Sequence, residues 1–154
     1  MKILMVCLGN ICRSPLADGL LRHKITNEGL LASVDSAGTA NYHVGGAPDE
    51  RMTETAKKNS IDISDLRARQ FEVHDFDNFD LIYVMDKSNY ENVIRLSRNN
   101  EDQNKVKLIL LELGKSNVIH EVPDPYYGGQ AGFEHVFDLL DRATDVIMEK
   151  IKNG

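Results

Sequence analysis

The sequence places a cysteine, Cys7, six residues before an arginine, Arg13, and a serine, Ser14, follows the arginine directly. The apolar segment 2–6 before them predicts a buried strand, and Pro15 suits the first turn of a helix, where a missing N–H costs nothing. A glycine-containing turn between a strand and a helix aims several backbone N–H groups and the positive helix end at one point. That geometry binds an oxyanion such as phosphate.

The same surroundings favour the ionised form of a thiol, so Cys7 is predicted to be a nucleophile. Arg13 can hold two phosphate oxygens at once with its planar fork. The alternative is a buried, inert cysteine at a strand end beside a solvated arginine. The strand before the turn and the helix after it favour the catalytic interpretation.

The composition limits the classes of protein that need to be considered. A chain of 154 residues with 42% hydrophobic and 27% charged residues fits one soluble domain, residues 1–154. Without a membrane-length apolar run, a signal-peptide pattern or more than two cysteines, we expect a cytoplasmic protein that does not bind membranes. The net charge of −6 argues against nucleic-acid binding. We expect no metal or other cofactor, and a monomer or weak dimer, since no large apolar stripe is left unassigned.

Short apolar strands alternate with helical patterns along the chain. The strands are predicted at 2–6, 33–37, 80–85 and 106–110, and the helices at 15–26, 48–59, 88–97 and 133–151. This alternation predicts an α/β fold in a single domain: a four-stranded parallel sheet with helices on both faces and a phosphate-binding loop after the first strand. Ligands bind beyond the carboxyl ends of such strands, which is where Cys7 lies.

A thiolate that attacks a phosphate ester needs an acid to protonate the departing oxygen. The best candidate is Asp124, because Pro123 and Pro125 stiffen its loop and the tyrosines that follow offer aromatic faces beside the carboxylate. The alternative is an aspartate that only starts a turn before a proline.

Five segments, in order and over nearly the full length, resemble the low-molecular-weight protein tyrosine phosphatase family. They are CLGNICRSP at 7–15, DSAGT at 35–39, ARQ at 68–70, MDKSN at 85–89, and DPYYG at 124–128 followed by FE at 133–134. The resemblance implies hydrolysis of phosphotyrosine in proteins, with tyrosine-phosphorylated proteins as partners, inorganic phosphate as product and no metal.

By this resemblance Cys7 attacks phosphorus and forms a cysteinyl-phosphate. Arg13 stabilises the equatorial oxygens together with the N–H groups of the loop, which comprises Leu8, Gly9, Asn10, Ile11 and Cys12. Asp124 protonates the tyrosine oxygen and then acts as a base on the water that hydrolyses the intermediate.

The resemblance also implies supporting roles around the loop. Ser14 would hydrogen-bond the Cys7 thiolate and make it a better leaving group. Asn10 would lock the loop, with Ser36 as its support. Asp86 would either help to hold the loop or cap a helix. The family often carries a bracing histidine just before the ARQ segment, where this chain has Leu66.

Three tyrosines, Tyr42, Tyr126 and Tyr127, are expected to form aromatic walls for a phenyl ring, although loop tyrosines can also be packing residues. By the resemblance, Cys12 could form a reversible disulfide with Cys7; alternatively it is a small packed residue of the first helical turn.

Two other functions remain open. The first is a protein-arginine phosphatase on the same fold, but those enzymes carry a threonine where this chain has Leu8, which favours phosphotyrosine. The second is a non-catalytic phosphate-binding or redox module in which Cys7 and Cys12 form the switch. Arsenate reduction would need additional cysteines that the chain lacks.

Overall fold

Four parallel strands form the central sheet of the protein. In this computed structural model, which describes residues 1–114 and 119–154 (without the side chain of Tyr127), the strand order is β2-β1-β3-β4. The strands are β1 (Lys2–Cys7), β2 (Ser33–Gly38), β3 (Leu81–Val84) and β4 (Val106–Leu108). The predicted four-stranded parallel sheet is therefore confirmed.

The central strand β1 is covered on both faces. Ile3 and Met5 pack into one hydrophobic layer, whereas Leu4 and Val6 pack into the other, and all four are fully buried. This explains why the strand is a continuous apolar run rather than an alternating one. Its last residue, Cys7, pairs with Gly38 of β2.

Helices cover both faces of the sheet, as the alternating pattern predicts. The first face carries α1 (Arg13–Glu28), α2 (Glu50–Lys58) and α6 (Gly129–Asn153). The second face carries α3 (Asp75–Asn78) and α4 (Lys87–Ile94), and α5 (Asn100–Asn104) packs beside β4. Within the described ranges, no helix is both long enough and apolar enough to cross a membrane.

The structure differs from the predicted elements mainly at short segments. The apolar run that begins at Val106 leaves the sheet after Leu108 and continues as a 3-10 helix, Ile109–Leu113. Helices α3 and α5 were missed because four or five residues are too few to show a helical period. Helix α6 begins at Gly129 rather than Phe133, since its first turn carries no apolar pattern.

The strand order places Cys7 at the crevice of the sheet. The chain leaves β1 for β2 on one side and later crosses to β3 on the other side of β1. In open α/β sheets this reversal opens a crevice at the carboxyl ends of the two strands. The loops after β1 and β3 therefore meet over Cys7.

Gly19 is required where α1 packs on Ile63, in the segment between α2 and α3. A β-carbon at this position would overlap the Cγ2 methyl of Ile63, which is fully buried. Although alanine normally stabilises a helix interior relative to glycine, we expect Gly19→Ala to destabilise the fold by about 1–3 kcal/mol, because the overlap outweighs the propensity gain. Urea unfolding measures the change.

The matched test of that prediction is Gly19→Ala in an Ile63→Leu background, which lacks the Cγ2 methyl. In that background we expect Gly19→Ala to cause a smaller loss of stability. A more stable Gly19→Ala single variant would contradict the packing argument.

Candidate active site

Several carbonyl groups of the loop from Cys7 to Ser14, called the Cys7 loop below, point away from its interior and accept hydrogen bonds from residues outside the loop. Backbone N–H groups of neighbouring segments donate to three of these carbonyls: Thr39 to Cys7 and Ala40 to Leu8 (both 2.9 Å), and Asp49 to Ile11 (2.8 Å). A fourth, that of Cys12, accepts from Leu16 in the first turn of α1 (3.2 Å). The loop amides are thereby turned toward the inside of the loop, and Asn10 donates its N–H to Cys7 Sγ at 3.3 Å. Within the described chain, the N–H groups of Gly9, Ile11 and Cys12 donate to no protein atom, so they are available to an anion.

Asn10 holds the turn of this loop. Its backbone is left-handed (φ 58°), a conformation that asparagine tolerates better than most residues. The buried side chain donates from Nδ2 to Ser14 Oγ (2.8 Å) and to Ser36 Oγ (2.9 Å), and its Oδ1 accepts the Arg69 N–H at 3.0 Å. Asn10 and Ser36 are thus hydrogen-bonded to each other.

The Cys7 sulfur lies against the Ser14 hydroxyl, with Sγ and Oγ 3.0 Å apart. Ser14 Oγ already accepts a hydrogen bond from Asn10, and its other acceptor, Ala37 O, is farther away at 3.4 Å. The Ser14 proton is therefore best placed to stabilise a thiolate on Cys7.

One side of the Arg13 guanidinium is fixed by the protein. Its Nη1 donates to Asp86 Oδ2 (2.7 Å) and to Val122 O (3.0 Å), whereas Nε and Nη2 have no partner among the described residues. Although burial opposes the charge, the Cys7 sulfur and Asp86 raise the pKa of Arg13. The other Asp86 oxygen accepts the Asn89 N–H in the capping box of α4, so this carboxylate contacts both Arg13 and the start of α4.

Asp124 reaches the same place from the far end of the chain. The Val122 N–H donates to Met85 O (2.8 Å) and the Lys87 N–H to Glu121 Oε1 (2.8 Å), which ties this loop to the end of β3. Asp124 also accepts the Tyr126 N–H at 3.0 Å, as an aspartate that starts a turn does. Its turn position and its position in the cleft are therefore compatible.

Cys7, Arg13 and Asp124 line one cleft of about 100 Å³. The cleft also includes Leu8, Tyr42 and Tyr126, which are 45%, 74% and 44% exposed. The side chain of Tyr127, the third expected wall residue, lies outside the described part of the structure.

Similarity to known proteins shows the family of this chain. The sequence profile of the family described as "Low molecular weight phosphotyrosine protein phosphatase" matches residues 2–154. The chain belongs to this family. A Synechocystis sp. relative named for the same family is 52% identical over 98% of this chain and 96% of its own length.

More distant members agree with this assignment. The human low molecular weight phosphotyrosine protein phosphatase is 38% identical over 97% of this chain and 94% of its own length. The crystal structure of a protein tyrosine phosphatase from Entamoeba histolytica superposes with a TM-score of 0.92 at 38% identity, covering 100% of this chain and 98% of that one.

Two features of this phosphatase site were not predicted from the sequence. His43 lines the cleft, and its ring lies against Gly9, where an added β-carbon would be only 3.1 Å from Cδ2. No spacing rule marked this histidine; its only signal was its position beside Tyr42. The position expected to hold the family's histidine is filled by Leu66, which packs against the core, and the backbone N–H of Arg69 supplies a bond to Asn10.

Cys12 differs from Cys7 in its surroundings. Burial raises the pKa of Cys12 to about 12; a hydrogen bond with Tyr126 opposes this shift, and the negative charge of Asp49 adds to it. Burial and the contact with Cys12 likewise raise the pKa of Tyr126. Cys12 therefore keeps its proton at neutral pH.

Alkylation should show this difference. At pH 8 a thiol with a pKa of about 12 is ionised in only about one molecule in 10⁴. In Cys7→Ser protein we expect Cys12 to resist iodoacetamide in the folded state and to react after unfolding in urea, as measured by intact mass. Labelling of folded Cys7→Ser protein at the rate of a free thiol would contradict the raised pKa.

Proposed function

We propose that this protein hydrolyses phosphotyrosine in proteins through a cysteinyl-phosphate on Cys7. The observation that carries the proposal is that Cys7, Arg13 and Asp124, from three separate segments, line one cleft in a member of the tyrosine phosphatase family. The products are protein tyrosine and inorganic phosphate.

In the first step Cys7 Sγ attacks phosphorus, the S–P bond forms and the bond to the tyrosine oxygen breaks. Charge on the three equatorial oxygens is stabilised by the free N–H groups of the Cys7 loop and by the unpaired side of Arg13. Because Asp86 and the Val122 carbonyl already fix Nη1, the fork is held in place before substrate binds.

Asp124 supplies the proton that the departing tyrosine oxygen needs. In the second step the resulting carboxylate accepts a proton from water, the water oxygen attacks phosphorus, and the S–P bond breaks. Ser14 assists this step, since its hydroxyl 3.0 Å from Sγ stabilises the thiolate that leaves.

The rim of the cleft supports an aromatic substrate. Tyr42 and Tyr126 offer flat faces at the mouth, and Leu8 presents an exposed apolar side chain directly beside the nucleophile. A phenyl ring gains from apolar contact, whereas the charged guanidino group of phosphoarginine would have to lose water against the apolar side chain of Leu8.

Three substitutions test the assigned roles with phosphotyrosyl peptide. Cys7→Ser should abolish turnover. Arg13→Lys, which keeps the charge but loses the fork, should lower kcat about 10²–10³-fold. Asp124→Asn should lower kcat about 10²–10⁴-fold, because the leaving oxygen has no acid.

A series of aryl phosphates with leaving groups of different pKa separates the role of Asp124 from general damage. The loss in Asp124→Asn should be small for p-nitrophenyl phosphate and large for phenyl phosphate. Equal losses across the series would exclude Asp124 as the acid, and turnover by Cys7→Ser would exclude the cysteinyl-phosphate.

A comparison of two substrates tests the preference for phosphotyrosine over phosphoarginine. We expect kcat/KM for a phosphotyrosyl peptide to exceed that for the phosphoarginyl peptide of the same sequence, and Leu8→Thr to narrow the difference. Phosphate release gives both rates. A preference for phosphoarginine in the unaltered protein would favour the alternative function, whereas tight phosphate binding without turnover would favour a binding module.

A further inference from the structure

Arg51 connects the aromatic rim of the cleft to the hydrophobic core, and the proposed reaction leaves it unused. Its guanidinium carbon lies over the ring of Tyr126, 4.9 Å from the ring centroid, and over the ring of Phe133, 4.8 Å from that centroid. Both distances are those of cation–π contacts. Phe133 is fully buried on α6, whereas Tyr126 is 44% exposed and lines the cleft. The arginine therefore joins a fixed ring to an exposed one.

The guanidinium of Arg51 is itself held in place. Asp49 accepts from its Nε at 3.4 Å and from its Nη2 at 3.2 Å. The Asp49 carboxylate is fixed in turn, because it caps α2 and accepts the backbone N–H groups of Arg51 (2.8 Å) and Met52 (3.3 Å). With a carboxylate and two aromatic rings around it, the planar guanidinium has one preferred position.

The same aspartate connects Arg51 to the anion site. The Asp49 N–H donates to the carbonyl of Ile11, in the Cys7 loop, at 2.8 Å. A chain of contacts thus runs from the loop through Asp49 and Arg51 to Tyr126. Because the phosphate and the ring of an aryl phosphate must fit at the same time, the place of Tyr126 relative to the loop affects an aryl ligand but not inorganic phosphate.

The position of Tyr126 needs such a support. This residue lies in a 3-10 helix of only three residues, Pro125–Tyr127, and its side chain is half-exposed. An exposed tyrosine can adopt several rotamers, and only those that leave the ring beside the cleft provide a wall. Among the described side chains, no other aromatic ring packs on that of Tyr126. The contact with Arg51 therefore favours one rotamer over the others.

We propose that Arg51 is a positioning residue that holds Tyr126 as an aromatic wall at a fixed place relative to the Cys7 loop, and that it thereby sets the preference of the cleft for aryl over alkyl phosphates. The acid Asp124 does not depend on Arg51, since its loop is tied separately through the Val122 N–H to Met85 O. The inference deepens the proposed function and rests on it only for phosphotyrosine as the aryl ligand.

The binding of two phosphonates, which needs no turnover, tests the proposal. Benzylphosphonate and methylphosphonate carry the same charged group, but only the first has a ring that can contact Tyr126. Arg51→Met keeps an unbranched side chain and removes the cation from both rings. Relative to methylphosphonate, benzylphosphonate should bind about two- to fivefold more weakly, the effect of one exposed cation–π contact.

The ratio of the two dissociation constants isolates the contact with the ring. Any general effect of the lost positive charge acts on both phosphonates and cancels in the ratio. Amide chemical shifts of the Cys7 loop in ¹⁵N-labelled protein give both constants, even for weak ligands. An unchanged ratio in Arg51→Met, whether or not both constants rise, overturns the proposal.

Arg142→Met is the matched control. The side chain of Arg142 is 52% exposed against 49% for Arg51, and its partner Asp138 lies at the same 3.2 Å as Asp49 does from Arg51. In the part of the chain that the structure describes, Arg142 lies over no aromatic ring. Its phosphonate ratio should equal that of the unaltered protein. Arg51→Lys keeps the charge but loses the flat guanidinium, so it should retain part of the preference.

Substitutions of Tyr126 show whether Arg51 acts through this ring. In a Tyr126→Leu background, Arg51→Met should no longer change the phosphonate ratio, since the ring is gone. In a Tyr126→Phe background the ring remains, and Arg51→Met should have its full effect. An undiminished effect in the Tyr126→Leu background contradicts the proposal, because a merely structural arginine would act equally in both backgrounds.

The contact can also be observed without any substitution of Arg51, which avoids a folding defect of that variant. In the unaltered protein the guanidinium N–H signals of Arg51 should be shifted upfield by the two rings, and Tyr126→Leu should remove part of the shift. Signals at the position of an arginine in water would exclude the contact.

Kinetics separate the inference from the proposed function. With aryl phosphates of different leaving-group pKa, Arg51→Met should raise KM, while kcat should depend on the leaving group as it does in the unaltered enzyme; a steeper dependence would mean that Asp124 is displaced and would overturn the proposal. If no phosphate ester is turned over but the phosphonate ratio changes as stated, the proposed function fails and the inference stands. Turnover with an unchanged ratio gives the reverse result.

Discussion

The left-handed turn at Asn10 is the constraint on which the rest of the site depends. With φ at 58° the chain reverses within the Cys7 loop, so that three of its carbonyls face neighbouring segments and the amides face inward. This conformation costs free energy, and it persists because the buried Asn10 side chain makes three hydrogen bonds to Ser14, Ser36 and the Arg69 N–H. The oxyanion site is therefore built before any substrate arrives, which is the condition for strong electrostatic stabilisation.

The sheet topology brings the remaining groups to this turn. Asp86, just after the end of β3, orients Arg13. Val122 donates its N–H to Met85 O and accepts from Arg13 at its carbonyl. A single peptide segment thus positions both the phosphate clamp and the acid-bearing loop. Nucleophile, clamp and acid are consequently held to one another through β3 and not only through their own loops.

The part of the site that could be predicted from the sequence consists of residues that lie close together along the chain or in a loop with a clear sequence signal. Cys7, Arg13 and Ser14 lie within eight residues on one strand–turn–helix unit, so spacing alone indicated an anion site. Asp124 could be placed because prolines marked its loop. His43 could not, because only the fold brings its ring against the backbone of Gly9 and into the cleft. The fold shows a similar limit. Apolar runs and helical patterns predicted the sheet and the main helices, but α3 and α5 are too short to show a pattern.

The two cysteines of the Cys7 loop lie close together but have different surroundings. Both are buried and their positions differ by only five, yet the Asn10 N–H and the Ser14 hydroxyl lie at the sulfur of Cys7. Cys12 instead keeps its proton mainly because burial raises the pKa of its thiol; the negative charge of Asp49 adds to this shift, whereas Tyr126 opposes it. An oxidised Cys7 could be attacked only after Cys12 lost its proton, so a disulfide between the two would first need Cys12 to become accessible to water. The burial that makes Cys12 a packing residue is thus also what controls its redox chemistry.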